Sequence, residues 1–522
     1  VESVAGSQSS RVGRVLVAAT PVVLTALAFH GLRYSFFNAD DFFHLYQVAA
    51  GHTRERLFAP HGGHLLAVWH LVFAGFYELF GVEAWRWGLA VLATHLLNTA
   101  LLWDVIRRLT DAPRLAAVLA ICWGTATVHD GTLGWYSVYG QVLATTLLLL
   151  TLRSMQRRRD ARPVPWLVLA GWWLAQLAAA MCFGIGLAVA MAFPLIATVF
   201  LPAGALDRPR RIALWSLPAA LAAIWVVAMV PYVGKGSSAE GVALKFVMVT
   251  LRYGPRFLLE LFGAGASVLV LAPVTRATLF PAPGAVAAAV ACAAVVALTA
   301  WRRPDTRRTL AALLLVLLAG YGSVAAGRTA LYAAFSQVRK VDTYGPGEPR
   351  YHYLGTAVTA AALGTAVAPW VAGVSTVAAG GAFALFAAAT AVALVVVPLP
   401  LDHHDGARRA VWRVVASVAQ KAKQSPPGAT VRVKNERFPA VGLILVRDVV
   451  SFPGTAAVFL TWRPDGTIDG RRVVFEVSDP ALLASLQADP EAPIARLVAA
   501  PASPASASPA PAAPPAGGGA GR

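Results

Sequence analysis

Three short stretches hold side chains whose types and spacing could do chemistry. Asp40 and Asp41 stand side by side in "FFNADDFFHLYQ", residues 36–47, inside an aromatic run. Asp130 lies in "TVHDGTLGWYS", and Arg350, Tyr351 and His352 follow one another in "GEPRYHYLGTA". A carboxylate placed where a lipid-borne substrate meets water can serve as a general base or as a metal ligand. A guanidinium suits phosphate through paired hydrogen bonds, which makes Arg350 a phosphate-binding candidate, with Tyr351, Arg339 and Lys340 beside it. Each group also has a plainer reading. An Asp opening a helix is a common N-cap, Asp-Gly is a common turn, and Arg and Tyr anchor helices at a membrane interface. Adjacent residues on a helix point about 100° apart, so only one of Asp40 and Asp41 should face a site.

Histidines raise the question of metal. His44, His52, His61, His64 and His129 fall in the same group of loops, and His61 and His64 are separated by two glycines. His61, His64 and His129 are the candidate ligands, although "PHGGH" lacks the spacing of a common zinc site and reads equally as a loop entering a helix. "LDHHDG" (401–406) has the composition of a surface metal site but sits where polar loops are ordinary.

The elements that must position these groups are membrane helices. Of 522 residues, 57% are hydrophobic and 13% charged, against about a quarter charged in soluble proteins. Apolar stretches recur to about residue 398, many near the ~20 residues that cross a bilayer. The net charge of +18, from 44 basic and 26 acidic residues, sits largely in short turns, which is the positive-inside pattern and not a nucleic-acid surface. Cys122, Cys182 and Cys292 lie in apolar segments and read as small hydrophobes, with no disulfide framework.

The turns "RRLTDAPR" (107–114), "RSMQRRRDAR" (153–162), "DRPRR" (207–211) and "WRRPDTRR" (301–308) are expected in the cytoplasm. Working outward predicts spans near 14–32, 84–104, 114–129, 137–155, 164–182, 184–201, 212–231, 284–301, 309–327, 353–374 and 378–398. The fold class is therefore mainly α: a polytopic membrane protein of about 11 transmembrane helices, N-terminus cytoplasmic. The apolar segment 64–81 would invert the arginine pattern if it crossed, so it is expected to lie along the outer face. Segment 243–280 is expected not to cross.

External loops follow at 33–83, 232–283 and 328–352, all within a membrane domain 1–400. The later two hold more basic than acidic residues, which suggests an anionic ligand there. Residues 401–500 read as a small extracytoplasmic α+β domain. "RRAVWRVVASVAQKAK" has a helical period, and "TVRVKN", "AAVFLTW" and "RRVVFEV" alternate like strands around "RPDGT" and "IDGRR" turns. Residues 501–522 form a Pro/Ala-rich tail expected to be disordered.

These features together resemble the GT-C glycosyltransferases, closest to the branch of protein O-mannosyltransferases and their bacterial relatives (glycosyltransferase family 39-like). The resemblance rests on the first helix, the acidic pair opening the first external loop, the apolar "H–L…F–Y–E–L–F–G" helix and "WGLAVLATHLLNTALLWDVIRRL". "CWGTATVHDGTLGWYSVYGQVLATTLLLLTLRSMQRR" is similar to that branch's "HP-x-H-x-E…W…GR" hairpin, with the proline absent, Asp130 near the acidic position and Gln141 in place of the arginine. "GEPRYHYLGTA" resembles the late external loop with its Arg-Tyr pair, and the likeness covers about residues 10–400.

The resemblance implies an inverting transferase that moves a sugar, mannose in the named branch, from a polyprenyl-phosphate carrier to an acceptor hydroxyl at the outer face. Asp41 or Asp40 would be the base, with Asp41 favoured, and Asp130 a second acidic group orienting the acceptor or a metal. Arg350, with Tyr351, would hold the carrier phosphate. Some members use a divalent cation and others do not. The implied partners are a polyprenyl-phosphate-linked sugar and an acceptor protein, polysaccharide or lipid, with no nucleic acid. An Ala-, Arg- and Gly-rich composition points to the inner membrane of a GC-rich bacterium. Two other classes fit the same residues: a flippase of polyprenyl-linked sugars, and a non-catalytic membrane scaffold.

Overall fold

The computed structural model describes residues 2–37, 40–60, 64–158, 162–229, 239–275, 282–339 and 348–396, and short pieces (424, 426, 430–434, 467–468, 471–476) farther on. The chain divides into two units, Val1–Trp412 and Arg413–Arg522.

The first unit is helical throughout its described residues. It contains α1 (Glu2–Phe29), α2 (Asp40–Ala49), α3 (Thr53–Arg56), α4 (Ala67–Phe80), α5 (Ala84–Thr110), α6 (Pro113–Gly124), α7 (Asp130–Leu133) and α8 (Gly140–Gln156). These are followed by α9 (Trp166–Ala180), α10 (Gly184–Phe200), α11 (Arg208–Met229), α12 (Ala239–Thr275), α13 (Ala282–Arg302), α14 (Arg307–Arg339), α15 (Tyr353–Val371) and α16 (Thr376–Val396). Among the described residues, eight helical stretches are long and apolar enough to cross a bilayer: those built on α1, α5, α8, α11, α13, α14, α15 and α16. The chain is a multi-pass membrane protein. Three further helices of the expected spans, α6, α9 and α10, are apolar but shorter, at 12, 15 and 17 residues. The expected span 114–129 ends early, because α6 stops at Gly124 and the chain continues as short helical turns at Thr127–His129, α7 and Tyr136–Val138.

Two ends of the bundle can be told apart by their bonds. At one, Asp104 near the end of α5 binds Arg107 (2.6 Å), Arg108 (2.8 Å) and Arg153 of α8 (2.7 Å). There too Arg308 of α14 donates to carbonyls closing α10, Arg210 of α11 donates to the Val164 carbonyl before α9 (2.5 Å), and Arg302 of α13 stacks on Trp370 of α15. Local sequence makes these tight turns. Asp111 ends α5 in the left-handed region (φ 51°), and Pro113 then opens α6 with its φ preset for a helix. The arginines in the last turn of α5 also complement the negative end of the helix dipole.

The opposite end gathers the candidate site. Backbone N–H groups of Val68 and Trp69 in α4 donate to the Met181 carbonyl after α9 (3.1 and 3.4 Å). Trp69 Nε1 donates to the Tyr136 carbonyl (3.1 Å), and the Tyr136 hydroxyl donates to the Ala84 carbonyl that starts α5 (2.9 Å). α4 has 14 residues, about 21 Å of helix, short of the ~30 Å hydrocarbon core. It buries Trp69, His70, Phe73 and Tyr77.

Segment 243–280 is helix through Thr275, as α12 of 37 residues. Its contacts include Gly263 against the Ala285 carbonyl early in α13, Gly265 against the Tyr321 hydroxyl and His352, and Val268 with Ala126 and Val128.

In the second unit the described residues include β1 (Thr430–Lys434), β2 (Thr467–Ile468) and β3 (Arg471–Glu476) in the order β1-β3-β2. β1 pairs parallel with β3, Val431 opposite Val473, and β2 pairs antiparallel with β3, Ile468 opposite Arg471. β1 and β3 fall on two of the three expected strands, "TVRVKN" and "RRVVFEV", and Asp469 and Gly470 between β2 and β3 lie outside the described residues. The expected helix 407–422, strand "AAVFLTW" and tail 501–522 lie outside the described residues.

Candidate functional site

The first turn of α2 separates the two aspartates. Asp40 is exposed, whereas Asp41 has no exposed surface. One Asp41 oxygen, Oδ1, accepts from both donors of Ser137: the backbone N–H at 2.6 Å and the hydroxyl at 2.5 Å. A helix that must bury Phe42 and Leu45 turns Asp41 inward with them and leaves Asp40 on the other side of the turn. The buried carboxylate is tolerated because two donors replace its water.

Ser137 belongs to the segment 127–139, which also contains His129 and Asp130. That segment is held from three sides. α2 is tied through Asp41, α4 and α5 through Tyr136, and the turn Pro349–Tyr351 through close packing. A Cβ on Gly131 would lie 2.7 Å from Pro349 Cβ, so only glycine admits the turn this closely. The Thr132 hydroxyl points at the Arg350 carbonyl (3.5 Å). Arg350 stacks over Trp135 (5.0 Å to the ring centre) and Tyr351 (5.4 Å), with Glu348 3.6 Å from its Nε. Asp130 is half-buried at the start of α7. The Asp41 carboxylate of α2 and the Arg350 guanidinium, distant in sequence, are thus both held by the segment that carries Asp130, and Asp40 is the exposed neighbour of Asp41.

Beneath this layer lies a buried polar cluster. His95 of α5, Asn98, Tyr353 and His129 are all without exposed surface. The Gly124 carbonyl can only accept, so His95 Nε2 donates to it (3.0 Å), and in the neutral ring Nδ1 accepts from the Tyr353 hydroxyl (2.8 Å). Asn98 Nδ2 donates to the same Tyr353 oxygen (3.2 Å). His129 packs against Tyr353 (4.8 Å between ring centres), Trp123 (4.9 Å) and His95 (5.4 Å). Burial holds the His129 imidazole well below its usual titration range, with His95 and His352 acting in the same direction. His352, also fully buried, meets the Tyr321 hydroxyl at 3.2 Å.

The remaining predicted residues fall as follows. Tyr351 is buried. His64 packs on Phe183 (5.2 Å) beside Gly184, and His44 on Trp69 (4.5 Å). His52 pairs with Glu55 (2.8 Å) in α3. Gln141 is buried in α8. His61, Lys340, residues 401–406 and the side chain of Arg339 lie outside the described residues. Among the described residues no three His, Cys, Asp or Glu side chains converge as a cation would require. Ser137, Trp135, His95 and Tyr353 were not singled out from sequence. Nothing in "WYS" or in an apolar helix marks a residue whose partner is about a hundred or more positions away.

No protein-family model matches the sequence, and no curated protein matches it. Among solved structures the chain is similar to the oligosaccharyltransferase of Archaeoglobus fulgidus. Against its complex with Zn and sulfate the TM-score is 0.39 and the identity 13%, over 85% of this chain and 61% of that one. Against the same protein tethered to an acceptor peptide containing the NVT sequon, the TM-score is 0.42 and the identity 12%, over 90% and 64%. This chain therefore spans less than two thirds of the length of that protein.

Proposed function

We propose that this protein is a GT-C-type membrane glycosyltransferase that moves a sugar from a polyprenyl-phosphate-linked donor to an acceptor hydroxyl at the site end of the bundle. One observation carries the reading: Asp41–Ser137 and Arg350–Trp135 fasten the start of α2, which bears both aspartates, and a guanidinium to the same short segment, at an end of the bundle opposite the arginine-rich turns. By the positive-inside rule that end faces outward, across the cytoplasmic membrane of a bacterium.

The exposed Asp40 is the general base in this reading, and Asp41 the anchor that sets its position. The acceptor O–H gives its proton to the Asp40 carboxylate as its oxygen attacks the anomeric carbon from the face opposite the leaving group. The bond from that carbon to the phosphate oxygen breaks, its electron pair leaves with the polyprenyl phosphate, and configuration inverts. Arg350 neutralises the departing phosphate, its guanidinium held flat by Trp135 and Tyr351. Asp130 orients the acceptor.

The test uses purified protein, a panel of polyprenyl-phosphate sugars, and hydroxyl acceptors drawn from peptides, glycans and lipids. Asp40→Asn should lower transfer by roughly 100-fold or more, the ordinary contribution of a general base, and Asp41→Asn by less. Wild-type rates in Asp40→Asn would overturn the base assignment. Lipid movement across liposomes without transfer from any donor would instead identify a flippase.

A further inference from the structure

The turn Asp207–Arg211 holds three arginines with two different fates. Arg210 pairs with the Asp207 carboxylate, donates to the Val164 carbonyl and stacks on Trp166 (5.0 Å), so its charge is consumed within the fold. Arg208 and Arg211 are exposed, and among the described residues neither has a carboxylate partner. Together with Ile212, Trp215 and Ser216 they line an open cavity of about 640 Å³.

The spacing explains the shape. Positions 208, 211, 212, 215 and 216 recur at three- and four-residue steps, so they share one face of α11. Leu214, Leu217 and Leu221 occupy the opposite face and are buried. The cavity is therefore graded along the helix: two guanidiniums at the arginine-rich end of the bundle, then Ile212 (62% exposed) and Trp215 (53% exposed) facing outward towards the hydrocarbon. Ser216 fixes the floor by accepting from Trp173 Nε1 of α9 (3.2 Å).

From this gradient we infer that the α11 cavity binds one anionic phospholipid, its phosphate between Arg208 and Arg211 and its glycerol and first acyl carbons along Ile212 and Trp215. Charge complementarity chooses this occupant. Two unpaired guanidiniums at headgroup level attract an anionic headgroup and offer paired donors to its phosphate. A zwitterionic phospholipid brings a compensating cation and gains less. The site lies at the opposite end of the bundle from Asp40 and Arg350, so it stands or falls independently of the transfer reaction.

The experiment is native mass spectrometry of the full-length protein, released from micelles titrated with phosphatidylglycerol or phosphatidylcholine of the same chains. Wild type should retain one phosphatidylglycerol roughly tenfold more strongly than phosphatidylcholine, and R208A/R211A should lose that preference. R208K/R211K keeps the charge but not the paired donors, and should retain about a third of the preference. R303A removes one exposed arginine elsewhere at the same end and should leave it unchanged. Equal retention of the two lipids by wild type, or an unchanged preference in R208A/R211A, would overturn the proposal. So would competition by millimolar inorganic phosphate that matches phosphatidylglycerol, since it would remove the acyl chain from the recognition.

Discussion

Replacing Ser137 by alanine asks whether α2, which carries the proposed base, is held from 96 residues away. Asp41 has no exposed surface, and its Oδ1 takes both the N–H (2.6 Å) and the O–H (2.5 Å) of Ser137. Alanine deletes the O–H and leaves the N–H, so one charge-assisted hydrogen bond is lost and the carboxylate stays buried. Such a bond contributes about 1.5–3 kcal/mol, and the surviving donor favours the lower half of that range. At about 1.4 kcal/mol per factor of ten, α2 should open roughly 10- to 30-fold more often. Hydrogen exchange of residues 40–49 in micelles reads this directly, and protection there should fall while α5 and α8 keep theirs. Transfer activity should fall by a smaller factor, since it follows the closed fraction of α2, which changes less than the opening constant does. Ser137→Thr keeps the hydroxyl and should resemble wild type. Unchanged exchange across α2 in Ser137→Ala would refute the reasoning, because some other contact would then set where Asp40 sits.

Further outcomes follow from the same geometry. Gly131→Ala places a methyl group 2.7 Å from Pro349 Cβ, so the two turns must part. Overpacking of this kind costs about 1–3 kcal/mol, and transfer should fall more than the melting temperature does. Asp104→Asn strips the carboxylate from Arg107, Arg108 and Arg153. With that group partly exposed, a loss of about 2–3 kcal/mol is expected, below the range for a fully buried pair, and thermal unfolding in detergent measures it. His129, held neutral by burial, takes up no proton in the folded state where the unfolded chain does. Its contribution is present above the unfolded value of about 6.5 and is lost as pH falls below it. The melting temperature should therefore drop between pH 7 and 5, less steeply in His129→Gln. Arg350→Lys keeps the charge but forfeits stacking on Trp135 and Tyr351, and should raise the donor KM with little change in stability.

Local pattern determined much of this protein by itself. Arginine-rich turns and apolar lengths marked which helix ends share a side, because crossing a bilayer satisfies the backbone only in helices and positive loops stay behind. The same logic read 64–81 as a single apolar helix, and α4 covers Ala67–Phe80. In the second unit, alternation in "TVRVKN" and "RRVVFEV" marked β1 and β3. What sequence left open depended on distant partners. The adjacent aspartates are chemically identical in the chain, and sequence favoured Asp41 for the base. Only the packing of Phe42 and Leu45 sends Asp41 to Ser137 and leaves Asp40 outside. Arginines in "DRPRR" are equally indistinguishable until Asp207 and Val164 claim Arg210 alone. Helical period and composition act over a few residues, whereas burial and partnership belong to contacts formed across the whole bundle. The first set the elements, and the second assigned each polar side chain its place.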